Sequence, residues 1–334
     1  MRRVVVSLIS LLAVACAGYT GYWFYIAGKL KSSLAPWAEA RRAEGFVVAW
    51  DAATVEGFPR SFRLKFTRAA YGSERPVPYR INSDLILAEA APWDLQHWQV
   101  SAPHGATLRS PIEEDGASAA TIDGTIGLGG TPGTVIDLAA HDLIGTTEIG
   151  KVRVADAAMR LTLPDRPPAS HRDTAFDLTL RLTGLTLPLR GAPFGDTIKA
   201  LTLAGSFKGA LPSGPLRQAL GAWRDDGGTI ELQQSALRWG SLAVDANGTL
   251  ALDAELQPIG AFTAVILDHG ALIDAIVAAG EMREGDAGLV KTFLGLMAKS
   301  GPDGQKRLTL PLRVQNDRVF LGPVQVAVLP RITW

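Results

Sequence analysis

The chain has 334 residues, and its 33 Lys and Arg balance 33 Asp and Glu, so the formal net charge is zero. That balance argues against nucleic acid, whose phosphates need clustered positive charge, and a hydrophobic share of 47% against 20% charged residues excludes a disordered chain. A single cysteine excludes an intrachain disulfide framework and a multi-thiolate metal site.

Arg2 and Arg3 fall in a short leading segment, residues 1–3, and residues 4–27 then pass without one charged side chain. At about 1.5 Å per helical residue this run crosses a hydrocarbon core of roughly 30 Å. It reads as a transmembrane anchor and not a cleaved signal peptide. Ala13, Ala15 and Ala17 stand in mid-stretch, and Tyr19, Tyr22, Trp23, Phe24 and Tyr25 prolong the run as an interfacial aromatic belt. Cys16 lacks both the leucine three residues before it and the polar tether after it that a lipidated cysteine carries, so it reads as a small thiol in a membrane helix. The basic residues before the span favour a cytoplasmic N-terminus, with the bulk of the chain beyond the inner membrane.

Residues 28–45 are expected to form a membrane-proximal helix capped by Ser32 or Ser33 and ended by Gly45, with Leu34, Trp37, Ala38 and Arg41 on one face. From residue 46 the period changes to 2, and alternation predicts strands over 62–66, 151–154, 176–182, 249–256, 308–314 and 324–328. Asp115-Gly116, Asp123-Gly124 and Asn247-Gly248 predict tight turns, the last a hairpin joining 242–245 to 249–252. Three helices interrupt the strands. One follows Ser213 and runs from Pro215 to Trp223; a second is capped by Asp268; a third is capped by Asp286. The last two carry apolar stripes that need a cover, expected to be the inner face of the sheet. Leu272, Ile273, Ile276, Val277, Leu289, Phe293, Leu294 and Met297 are therefore the candidate lining of an apolar groove, unless the same helices only fill the core. The expected fold is mainly β with a few helices (α+β): a transmembrane helix, then a large curved antiparallel sheet over residues 46–334 with two or three packed helices. The Pro-rich stretch near 164–170 would be a seam between two lobes.

No constellation for chemistry emerges. His97, His104, His141, His171 and His269 form no i, i+4 pair, and no serine meets Gly-x-Ser-x-Gly. Gly145-Thr146-Thr147-Glu148-Ile149-Gly150-Lys151-Val152 has phosphate-loop spacing, but Val152 replaces the metal-binding hydroxyl and a strand follows in place of a helix. Glu113-Glu114-Asp115 and Asp225-Asp226 read as solvated turns. No catalytic, cofactor or metal residue is predicted, and the expected protein is not an enzyme.

Three stretches carry a resemblance: Val55-Glu56-Gly57-Phe58-Pro59-Arg60-Ser61-Phe62-Arg63-Leu64; the middle region from Gly227-Gly228-Thr229-Ile230-Glu231-Leu232 through Leu237-Arg238-Trp239-Gly240 to Leu256-Gln257-Pro258-Ile259-Gly260; and Leu308-Thr309-Leu310-Pro311-Leu312-Arg313-Val314 with Leu321-Gly322-Pro323. Together they resemble the bacterial envelope family called domain of unknown function 2125, over nearly the whole chain. The strand-turn grammar is more distantly similar to AsmA-like envelope proteins, in which a curved sheet holds apolar groups. The resemblance implies a single-pass protein of the bacterial inner membrane with its bulk in the periplasm. Its expected partners are the membrane through residues 4–27, then lipid or another apolar component; a scaffold for envelope proteins, using sheet edges or Trp93, Trp98 and Trp239, is the alternative.

Overall fold

The computed structural model describes all residues except 1, 75–77, 111–115, 148–149, 190–193, 213, 279, 281–282, 301–305, 323 and 333–334, and the side chains of 276, 324, 326 and 327. It is a mostly β protein behind a long apolar helix.

The anchor and the membrane-proximal segment are one helix, α1 (Arg2–Ala43), with Pro36 inside it. Ser32 and Ser33 do not cap a new helix. Their hydroxyls donate back to the carbonyls of Lys29 (3.0 Å) and Leu30 (2.8 Å), as hydroxyl residues do in mid-helix. The helix ends before Gly45, whose φ of +93° turns the chain out. α1 is long and apolar enough to cross a membrane. Residues 2–18, Cys16 among them, are exposed on every side, whereas Trp23, Ala27, Leu30, Leu34 and Ala38 recur at helical spacing and face protein.

The chain divides into two compact units, Met1–Leu128 and Gly129–Trp334. The expected seam near 164–170 falls inside the second unit. There it joins two paired strands, because Leu161 lies opposite Leu178 across the prolines.

In the first unit α1 packs on an antiparallel sheet. β1 (Phe46–Ala49) and β2 (Ala52–Glu56) share one edge of β3 (Phe62–Ser73), which pairs with β4 (Tyr79–Ala91). Beyond β4, β5 (Asp94–Ala102) and β6 (Ala106–Arg109) follow one another along its edge, pairing with Leu87–Ala91 and with Arg80–Asn82, and are extended by β8 (Thr121–Gly127) and β7 (Gly116–Ala119). Asp123-Gly124 is therefore strand, and Asp115 lies outside the described residues. The core is Trp23, Ala27 and Phe62.

On this sheet Arg63 donates to Glu89 across β3 and β4 at 2.9 Å. The guanidinium, with help from Ser61, holds the Glu89 carboxyl below the usual carboxylate value. A folded-state pKa below the unfolded one, about 4.3, means a stabilisation that is full above that pH and lost as pH falls through the lower folded value. The pair is partly exposed, so the increment is small. Glu89→Gln is expected to flatten the decline of first-unit stability just below pH 4, read by acid titration of thermal midpoints.

The second unit is a meander. β9 (Thr134–Thr147), β10 (Gly150–Leu163), β11 (Thr174–Thr186), β12 (Thr197–Lys208), β13 (Thr229–Trp239), β14 (Leu242–Leu252) and β15 (Pro258–Leu267) pair each with the next. β15 then pairs with β17 (Lys306–Gln315), followed by β18 (Arg318–Leu321) and β19 (Val324–Val328); β16 (Lys299–Ser300) flanks β17. The predicted hairpin at Asn247-Gly248 is absent, since both residues lie inside β14 opposite Thr263 and Phe262. Gly248 is there for a close approach: a Cβ would stand 2.6 Å from the Phe262 ring and 2.3 Å from the Ala261 carbonyl oxygen. The turn into β14 is at Gly240 (φ +53°), and the strand predicted over 249–256 stops at Leu252, with Leu256 at φ +62°.

Three helices accompany the meander. α2 (Leu216–Asp225) has Pro215 at its N-cap, and Ser213 lies outside the described residues. α3 (His269–Ala278) starts as predicted, with the Asp268 carboxylate accepting from the Ala271 N–H at 3.2 Å. α4 (Glu284–Met297) starts at an Arg283 N-cap, so Asp286 is not its cap but lies in its first turn, where the helix dipole favours an acid.

Candidate functional site

Register decides what the second sheet presents. Ala140, Ala157, Leu182, Leu201, Leu237, Val244, Ile266 and Leu308 are successive cross-strand partners from β9 to β17. Two residues along each strand, on the same face, runs a second row: Leu138, Met159, Leu180, Leu203, Ser235, Ala246, Ala264 and Leu310. Fifteen of these sixteen positions are apolar, as the two rows just named show. From β9 to β14 every one of them is half-buried; α3 packs on β14 and β17, which flank β15, and Ala264 and Ile266 of β15 and Leu308 of β17 are buried. A wide apolar strip is thus left partly open to solvent.

The opposite face is polar. Arg160 pairs with Asp137 at 2.6 Å and Arg238 with Asp245 at 2.7 Å. His141 meets Asp156 at 2.7 Å, and Asp156 also accepts from Thr183 at 3.1 Å. The imidazole, then the Thr183 hydroxyl, hold the Asp156 carboxyl below its usual pKa. This trio came together only through strand register, which spacing in the chain does not reveal. It lies on open sheet surface, and the acceptor of the Thr183 hydroxyl is a carboxylate whose lowered pKa makes it a weak base. Among the described residues no three His, Cys, Asp or Glu side chains converge as a metal site.

The first unit has an apolar cleft of about 310 Å3, lined on its strands by Phe66, Tyr71, Ile86, Val100 and Ile122 among others, with Trp37 contributed by α1. That volume reaches the lower end of small-molecule sites, roughly 300–1,000 Å3. Ser83, which also lines it, spends its hydroxyl on the Gly105 carbonyl at 2.7 Å, so the lining stays apolar. The periodicity of 62–66 points to this strand face but not to a cleft, whose walls are brought together by the pairing of β1, β3, β4, β5, β6 and β8.

The candidate groove residues of α3 and α4 are divided by the structure. Ile273 is buried, Leu272, Val277 and Leu294 are half-buried, and the Ile276 side chain lies outside the described residues. Leu289 (75% exposed), Phe293 and Met297 face solvent together with Leu296 (83%), so α4 is not inside the sheet. The reason is contact: α4 rests on α3 and β17 by one side only. Of the three tryptophans singled out, Trp93 is 80% exposed, whereas Trp98 and Trp239 are half-buried and donate to the carbonyls of Leu95 and Gly195, both at 2.9 Å.

No curated protein and no solved structure matches the chain. A family model does, over residues 23–330, and it takes in both β units and the docked half of α1. The chain belongs to that family, DUF2125, described as an uncharacterized protein conserved in bacteria.

Proposed function

We propose that the protein is a single-pass component of the bacterial inner membrane, with a cytoplasmic N-terminus and a periplasmic β region that binds lipid or another apolar envelope molecule without chemical conversion. The observation that carries this reading is the pair of apolar rows from β9 to β13, half-open to solvent across five strands. A sheet face that is meant only for a core is covered, and an apolar face left open marks a binding surface. Acyl chains suit it because they are long, apolar and tolerant of register. The first-unit cleft adds a second apolar recess beside the same helix that supplies the span. Arg2 and Arg3, ahead of the uncharged run, support the orientation.

The test is lipid carried through purification. Full-length protein extracted in mild detergent is expected to show bound lipid by native mass spectrometry. Leu180→Glu with Leu203→Glu, a cross-strand pair at the centre of the rows, is expected to lower occupancy at least about tenfold, about 1.4 kcal/mol. Lipid-free wild type, or equal lipid in the variant, would refute the reading. A second reading, a scaffold for envelope proteins, draws on the exposed α4 stripe of Leu289, Phe293 and Leu296; in-cell crosslinking from α4 that recovers no reproducible protein would dismiss it.

A further inference from the structure

The uncovered part of α1 is too short for the bilayer it has to cross. The uncharged run begins at Val4 and the part exposed on every side ends at residue 18, so 4–18 supply about 22 Å at about 1.5 Å per residue. A hydrocarbon core of roughly 30 Å needs about 20 residues. The missing turn has to come from residues 19–23, and those are already bound to the first unit.

What they are bound to is two turns of the sheet. The Tyr19 hydroxyl donates to the Pro59 carbonyl, and the Tyr22 hydroxyl to the Pro92 carbonyl at 2.8 Å. The Phe24 ring stacks on Phe58, with centroids 5.6 Å apart. The β2–β3 turn and the β4–β5 turn therefore sit at the level where the span must leave the hydrocarbon. Their outward side chains suit that level. Phe58 and Trp93 are exposed, and so are the rings of Phe24 and Tyr25. Two cations accompany them, Arg60 exposed in the first turn and Lys29 with its Nζ 5.8 Å from the Tyr25 ring centre. Aromatic rings with adjacent basic groups are the composition of a membrane-water interface. A tryptophan four-fifths exposed has no packing reason to be there.

We infer that the first unit is seated in the membrane surface, with Phe58 and Trp93 inserted at the boundary between headgroups and acyl chains of the leaflet where α1 emerges. This rests on the reading of α1 as a span. It makes the anchor a fixed mount and not a tether: Trp23 and the two tyrosines set the angle of the sheet to the bilayer, and no free linker intervenes.

The seat is tested with the full chain carrying Cys16→Ser and one new cysteine, Trp93→Cys, labelled with an environment-sensitive dye and reconstituted in phosphatidylcholine–phosphatidylglycerol vesicles. The dye is expected to emit to the blue, to be quenched by spin-labelled lipid and to be shielded from iodide. The same dye on Glu39→Cys, further along α1 and exposed, is expected to behave as in water. Arg60→Cys, in the other turn, gives an independent reading that leaves Trp93 intact and should follow the Trp93 position. Iodide quenching at 93 and 60 equal to that at 39, in protein that stays in the vesicles through an alkaline carbonate wash, overturns the seat and leaves the span standing. Release of the protein by the wash overturns the span, and the seat with it.

Discussion

Trp23→Ala is expected to undock α1 and to cost the first unit about 3–5 kcal/mol. The side chain is 3% exposed and stacks on Phe62, itself fully buried, with ring centroids 5.2 Å apart. Its Nε1 donates to the Ser61 carbonyl at 3.1 Å, so alanine removes the ring from the core and also leaves a buried acceptor without its donor. The loss falls on the turn as well. Gly57, at φ +103°, opens that turn, and a Cβ there would stand 2.6 Å from the Ser61 hydroxyl, so the turn that carries the acceptor is closely packed. In detergent micelles the first-unit midpoint should drop by roughly 10–20 °C, at about 4 °C per kcal/mol for a unit of this size. Phe24→Ala, one residue on but exposed, should stay within about 1 kcal/mol. Equal midpoints for Trp23→Ala and wild type would show that α1 is not docked through this stripe.

The same residue shows where the sequence misleads. Trp23 was read as one ring of an interfacial belt, and its neighbours support that, but Trp23 itself is core. A bilayer and a protein core ask for the same side chains, so inside the uncharged run the period of 3.6 is masked: Trp23 and Ala27 stand out only once a sheet is placed against them, whereas Leu34 and Ala38, beyond the run, already share a face in the sequence. The strands were legible because polar and apolar residues alternate in them, as in Phe62-Arg63-Leu64-Lys65-Phe66 and Leu308-Thr309-Leu310. Asn247-Gly248 was not, because glycine serves a tight turn and a close cross-strand approach alike, and only the position of Phe262 separates the two. The apolar rows were beyond reach for a different reason. Each strand announces its own apolar face, but whether Met159 meets Leu180 or a charge depends on register, a product of long-range pairing. The late helices and their stripes are legible in the sequence, but an apolar stripe does not by itself imply enclosure, and α4 keeps Leu289 and Leu296 in solvent.

Trp223→Ala is expected to cost the second unit a similar amount, about 3–5 kcal/mol, and here a second substitution exposes the mechanism. Trp223 is 2% exposed and fixes α2 to the end of β12: its ring stacks on Phe207 at 4.6 Å, Phe207 stacks on Phe176 at 5.0 Å, and its Nε1 donates to the Lys208 carbonyl at 2.6 Å. The indole lies directly over the backbone of Gly228, where a Cβ would stand 2.2 Å from the ring. Gly228→Ala must therefore push Trp223 out of its stack and should lose most of what Trp223→Ala loses. Combined, the two should cost far less than their sum, because alanine at 223 vacates the space that the new methyl needs. Hydrogen exchange of the amides in β11, β12 and β13 localises the effect, and protection there should fall strongly in each single variant with little further loss in the double. Additive losses would mean that Gly228 is held for some other reason than the ring above it.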